Sequence, residues 1–514
     1  MPTLSFRDFR SGLYVTDRLP MAVPPNGLLV AKNIDYVPGH DGTIKVRGRM
    51  GTKVFQPDAP LPGEVLSIYR HYPRQGTPSW LVSYRDGPWV KLKKDTDAPA
   101  DGVLELVTGA PVLSEKAMWR FVNWPARGFA YGVNGEYGLW LYDGAMVEVI
   151  LQGMLSGTGL ELGPYITLWR GRLWFTFVPE IQYSVYVVDV VPETADVVRN
   201  IEVVSQVSVN DQQGGEIVGI EGFRDTLLIF KNTSLWAFVG DPRFADGGQL
   251  TMYSTKGCVA PRSIAPTQYG VIFVSADGVY ITDGQSEPVE LSPQLRPLFV
   301  GPEAGGPYTD AVGGWDEVRQ RYYVRLSPND DRVYVLHRIL TAEGPTWAWS
   351  VYTIPCSAIG VASSEVDSGQ VMFGTAAGKL LLLDQPTTSD IDGLAGTQTP
   401  IDLAIKTVSA PLSRELYIGR VYEVEVVYRG RHAVVVGVEY DANPADAALI
   451  SVGESVPTDR LIASRRGIES TRYGKFASVH LSIPEGGCNV EIYGIDLEVK
   501  YRGVLCRREQ FGQA

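Results

Sequence analysis

Histidine, cysteine and carboxylate side chains carry most protein chemistry, and in this chain their spacing assembles no recognisable site. His40, His71, His337, His432 and His480 each lack a second His, Cys or acid at metal-ligand spacing, so each reads as a surface or hydrogen-bonded residue. His480 alternates with Val479 and Leu481 and is expected on the polar face of a strand. The cysteines at 258, 356, 488 and 506 fit neither a zinc knuckle nor a Cys-x-x-Cys pair, and are expected as free thiols in a reducing compartment. There is no Gly-x-Ser-x-Gly elbow and no P-loop. The glycine pairs at 214–215, 247–248 and 305–306 fall in loops rather than between a strand and a helix, where a dinucleotide site needs them.

Acidic residues cluster at Asp330 and Asp331 in a turn, and Glu221, Asp241 and Asp246 stand near the ends of one strand unit. A calcium loop needs oxygen ligands at alternating positions, which Asn329, Asp330 and Asp331 do not supply; Asp and Asn in hairpin turns are the ordinary explanation. Trp347 and Trp349 share one face of a strand, placed either to stack on a sugar or to pack in a core. No catalytic, cofactor-binding or metal-ligating residue is assigned, no cofactor is expected, and the chain reads as a non-enzyme.

The elements that would position any site are clearer. A short apolar, aromatic-rich strand, a tight Gly/Asp/Asn turn and a second such strand recur along the chain. The phrase reads Trp80-Leu-Val-Ser-Tyr-Arg-Asp-Gly-Pro-Trp89 near the start and returns at 138–144, 172–177, 227–238, 271–284 and 371–383. Gly and Asn accept positive φ and reverse the chain, while alternating apolar positions give each strand one buried face. Repetition at intervals of several tens of residues predicts a β-propeller. The units fall near 64–95, 117–150, 165–205, 215–255, 258–300, 308–355 and 356–385. The expected fold is all-β, a six- or seven-bladed β-propeller with an N-terminal extended arm and a C-terminal β-sandwich-like domain.

The expected boundaries are 1–27 for the arm, 28–385 for the propeller and 386–514 for the sandwich. Three prolines between Asp17 and Gly27 favour an extended segment over a helix, and Phe6, Phe9, Leu13 and Tyr14 as apolar anchors favour an arm over a disordered leader. The first strands are expected to complete the last blade and leave no open sheet edge. Residues 386–400 are polar and turn-rich and read as a linker. Strands are expected at 422–428, 433–440, 476–483 and 489–501, with a long exposed loop over 443–474. Arg502, Arg507 and Arg508 make the tail basic, which reads as solvated charge or as a dock for an acidic partner.

The net charge of −12 disfavours tight nucleic-acid binding over the whole surface, because phosphate contacts need Lys and Arg, yet it permits DNA to be enclosed without adhesion. No run approaches the roughly 20 apolar residues of a membrane helix. The opening 1–13 carries Arg7, Asp8 and Arg10 and no apolar signal region, so the chain is expected to be soluble when made, in a cytoplasm.

Several segments together resemble a known family. Phe6-Arg-Asp-Phe-Arg-Ser-Gly-Leu13, Ala31-Lys-Asn-Ile-Asp-Tyr36 and Thr43-Ile-Lys-Val-Arg-Gly-Arg49 resemble the N-terminus of tail proteins of tailed bacteriophages. The order of 224–242, Gly257-Cys-Val-Ala-Pro-Arg-Ser263 and 271–284 resembles the propeller core of the tail nozzle, or packaged-DNA stabilisation, proteins of short-tailed phages. The resemblance implies a structural virion protein. It would form a homo-oligomeric ring, hexameric in that family, below the portal and adaptor. Such a ring sits in the virion tail, is made in the host bacterial cytoplasm, and encloses the genome without sequence-specific binding. On this resemblance the loops at 200–215, 300–310 and 443–474 are candidates to narrow the exit. The alternatives are a propeller that binds or cleaves cell-surface glycan, using carboxylates from several blades, and a cellular scaffold with a peptide-binding propeller.

Overall fold

The computed structural model describes residues 3–15, 23–39, 41–56, 59–74, 77–95, 102–115, 117–124, 128–136, 138–145, 147–149, 161–178, 184–190, 201–209, 215–241, 247–301, 304–362, 369–387, 389–392, 397–412, 418–430, 434–441, 443–452, 461–467, 475–484 and 490–502. The hairpin units form as their turn chemistry dictates. Arg170 and Gly171 both have positive φ, at 50° and 68°, and close a two-residue turn between the paired Trp169 and Arg172. Two positive φ values give the turn the same twist as the strands it joins.

Six antiparallel blades follow in chain order. They begin with the inner strands Val65–His71, Arg120–Trp124, Glu161–Trp169, Ile217–Phe223, Ala265–Pro266 and Val312–Asp316. The seventh joins Ala358–Val361, Val371–Gly374 and Leu380–Gln385, and is completed by Gly51–Val54 from the N-terminal side, with Leu381 opposite Val54. The inner strands surround one channel. The propeller therefore has seven blades, and its ring is closed by an early strand. Non-local closure of this kind hides the edge that Leu380–Gln385 would otherwise expose.

The expected propeller boundary at residue 28 is corrected. Gly27–Lys32, Ile34–Pro38 and Ile44–Gly48 belong to the sandwich, and the propeller begins at Gly51. Ile34, Ile44 and Val46 are fully buried in one core with Val424, Val426, Ile495 and Leu497. Blade seven takes Gly51–Val54 as its fourth strand, and its sheet continues from there into Ser389–Asp392. One sandwich sheet holds Thr3–Phe6, Ile34–Pro38, Ile44–Gly48, Glu491–Arg502, Ile418–Arg429 and Ile462–Gly467. The other holds Gly27–Lys32, Leu403–Thr407, Phe476–Ile483, Val434–Tyr440 and Asn443–Val452, and continues into blade six where Lys32 pairs with Val351.

The arm is likewise built in. Thr3–Phe6 pairs with residues 495–498, Gly12–Leu13 lies parallel to Gly27 and Leu28, and Phe6, Phe9 and Leu13 are buried. Its prolines up to Pro20 fall outside the described residues. The linker reading of 386–400 gives way in part to Ser389–Asp392 and Thr397–Pro400, paired with each other beyond blade seven. Within 443–474, Asn443–Val452 and Ile462–Gly467 are paired strands rather than loop, and Ile201–Ser208 is the outer strand of blade three. Residues 453–460, 468–474 and 210–214 lie outside the described residues, as does the tail from 503.

Candidate functional site

Two places concentrate buried charge: the channel of the propeller and its junction with the sandwich. At one level of the channel an arginine bridges the blades. Pro261 and the 3-10 turn Pro261–Ser263 push Arg262 across the axis from the fifth blade. Its Nη2 donates to the carbonyl of Leu66 in blade one at 2.5 Å and to that of Ser357, at the start of blade seven, at 2.7 Å. Inner strands leave one backbone edge unpaired toward the axis, and a guanidinium satisfies such carbonyls where water is scarce. Arg262 thus ties together three blades, two of which meet at the ring closure.

Arg120 lies beside it, its guanidinium 4.7 Å from the ring centre of Tyr165 and 3.5 Å from the carbonyl of Pro261. Arg325 donates to the carbonyl of Cys356 at 2.6 Å. Burial, with Arg325 and Arg120 adding repulsion, lowers the Arg262 pKa to about 10; burial also lowers that of Arg120. Cys258 and Cys356, buried near these arginines, are pushed up to about 12 by desolvation and stay protonated thiols.

An adjoining, wider cavity of about 690 Å³ is lined by Arg70, Asn123, Thr167, Glu221, Gln268, Trp315 and Glu317, among others. Glu221 projects from the inner strand of blade four. Thr167 Oγ1 donates to it at 3.2 Å, but desolvation dominates and pushes the carboxyl up to about 7. It is a group that titrates at neutral pH inside the channel.

The junction is held by residues from the segments singled out in the sequence. Asn33 takes φ of 54°, a conformation asparagine tolerates better than most residues. Its side chain accepts from Thr353 N at 2.9 Å and Arg49 Nε at 2.9 Å, and donates to Thr353 Oγ1 and the carbonyl of Asp402, both at 2.8 Å. Buried Arg49 forms a two-pronged pair with Asp390, at 2.9 and 2.5 Å. Fully buried Asp35 meets Arg321 at 2.9 Å and accepts from the Tyr352 hydroxyl. Arg321 reaches Asp384 at 3.3 Å, and Asp384 and Asp316 both hold Arg319 at 3.1 Å. The chain of charges runs from the sandwich through blade six into blade seven. Removing one partner leaves an uncompensated buried charge, so the network fixes the two bodies against each other.

The residues weighed in the sequence are dispersed. His71 Nε2 faces the carbonyl of Gly128 at 3.1 Å and its ring meets Tyr142 edge-on, and burial lowers its pKa to about 4. Buried His337 contacts Ser350 Oγ at 2.8 Å, and desolvation with the nearby Arg321 charge lowers its pKa well below the usual value. His480 is half-buried on the outward side of its strand, between buried Val479 and Leu481. His40, His432, Cys488, Cys506 and Asp246 lie outside the described residues. Asp241 pairs with Arg172 at 3.0 Å, and Asp330 pairs with Arg332 at 2.8 Å within its turn. Trp349 is fully buried and donates to the carbonyl of Leu291, which excludes stacking on a sugar; Trp347 leans on Trp315. Among the described residues no group of three or more His, Cys, Asp or Glu side chains could hold a metal.

Arg120, Arg262 and Arg325 had no assigned role in the sequence. The one available signal was Arg262 between Pro261 and Ser263, a lone charge at a turn before an apolar strand.

The chain matches no family model and no curated protein. Among solved structures it is similar to the WD40 domain of Neurospora crassa Pan2, at 10% identity and a TM-score of 0.38, over 66% of this chain and 95% of that one. No helix among the described residues is long and apolar enough to cross a membrane.

Proposed function

We propose that this protein is a structural subunit of a tailed-bacteriophage virion, a ring-forming tail nozzle or hub component below the portal and adaptor that retains packaged DNA and forms its exit. The observation that carries the reading is the junction. Of the N-terminal segments that resemble phage tail proteins, 31–36 and 43–49 lock sandwich and propeller into one body through a shared sheet and buried ion pairs, and 6–13 packs beside them, with Gly12 against the backbone of Trp349. A rigid two-part wedge suits a ring subunit that must bear load without changing shape.

On this reading DNA passes between subunits, not along the propeller axis, which Arg262 spans from blade five to blades one and seven. The net charge of −12 suits a lumen that encloses DNA without gripping it. Electron microscopy of the purified protein, alone and with portal and adaptor, tests the proposal. Closed rings, sixfold by the family resemblance, are expected; a persistent monomer that joins neither partner refutes it.

A glycan-binding role draws on a different observation, the wider channel cavity that Glu221, Glu317 and Trp315 line together. Saturable binding on a glycan array, abolished by Trp315→Ala, would favour it over the virion role.

A further inference from the structure

We propose that the narrower cavity of the propeller channel is a binding site for a single phosphate-sized oxyanion, gripped by Arg120 and Arg262. The inference is independent of the virion reading. Both side chains line a cavity of about 220 Å³ whose wall is otherwise largely apolar or aromatic, with Leu66, Ile220 and Ile359 among its members. Arg325 stands behind them and presents an Nε, buried and without a hydrogen-bond partner.

A guanidinium has five N–H donors. Arg262 commits only Nη2, to two carbonyls, and Arg120 commits Nη1, to one carbonyl at the outer limit of hydrogen-bond length. The remaining donors of these two side chains, both of which line the cavity, have no hydrogen-bond acceptor among the described residues. None of the three arginines forms an ion pair among the described residues, although buried arginine is normally paired with a carboxylate. Glu221 is the only carboxylate among the lining residues, and it hydrogen-bonds Thr167 and makes no ion pair with either arginine. The cavity therefore concentrates positive charge that no ion pair among the described residues neutralises, and it adjoins the wider cavity of the same channel.

Planar guanidinium forks match the paired oxygens of a tetrahedral oxyanion better than a spherical halide, which sets the ligand class. The wider cavity would let a small substituent on the phosphoryl group extend into it. Inorganic phosphate and a small phosphate monoester share the chemistry, and the experiment separates them.

The full chain is titrated with inorganic phosphate, glycerol phosphate, sulfate and chloride at matched ionic strength, read by calorimetry and by ³¹P line broadening. Saturable phosphate binding is expected, chloride not substituting, with glycerol phosphate tighter than inorganic phosphate if a monoester is the natural occupant. Arg120→Met is expected to weaken binding by at least about tenfold. This variant keeps both Arg262 carbonyl bonds, so it decides the matter even if Arg262→Met does not fold. The absence of saturable phosphate binding, or unchanged affinity in Arg120→Met, overturns the proposal.

Discussion

Replacing Glu221 by Gln should turn the channel carboxyl into a measurable feature of the stability profile. The Gln side chain keeps the Oε1 that accepts from Thr167 Oγ1, so the local hydrogen bond survives. What changes is the titration. The carboxyl ionises near 7 in the fold and near 4.5 as a reference group. Its preference for the protonated form therefore favours folding fully below pH 4.5, and this contribution is lost as pH rises toward 7. The difference corresponds to about 3 kcal/mol at most, at 1.36 kcal/mol per pH unit. Glu221→Gln should thus match the wild type near pH 4.5 and exceed it by about 2–3 kcal/mol at pH 8.5. Urea unfolding of both proteins at pH 4.5, 6, 7 and 8.5, followed by tryptophan fluorescence, gives the difference directly, and all other titrations cancel in it. A difference that stays flat across this range would refute the burial argument for the channel.

The opposite slope belongs to His71. Burial lowers its pKa to about 4, so its contribution is present above pH 6.5 and is lost as pH falls through 4; in His71→Gln the acid-side loss should be smaller by up to about 3 kcal/mol, by the same unfolding series. At the junction, Arg321→Met leaves buried Asp35 with only the more distant Arg47, at 3.8 Å, as cation and should cost about 3–5 kcal/mol, while the double variant with Asp35→Asn should cost clearly less than the sum of the two singles. Asn33→Ala removes the side-chain bonds to Thr353, Asp402 and Arg49 and puts alanine at positive φ, so about 2–4 kcal/mol of destabilisation and earlier proteolytic separation of sandwich from propeller are expected. Deleting residues up to 54 leaves Leu380–Gln385 as an open edge, and concentration-dependent aggregation by light scattering should follow.

The local pattern of residues was enough to determine the blades. Alternating apolar strands joined by Gly, Asn or Asp turns have few other stable arrangements, and the seven units read from 64 to 385 coincide with the seven blades observed. Phe6 and Phe9, expected as anchors of the arm, are buried, and the structure decides for Trp349 between the two placements the sequence left open. The partner of each early strand was not legible, because period-two alternation says which face is buried and not which sheet buries it. Ile34–Pro38 and Ile44–Gly48 look like propeller strands in isolation, and only their pairing with each other and with Glu491–Arg502 places them in the sandwich. The channel was invisible for a related reason. Arg120, Arg262 and Arg325 are separated by up to 205 positions along the chain. Only ring closure brings such distant cations into one walled space, where low polarizability gives their charge its weight.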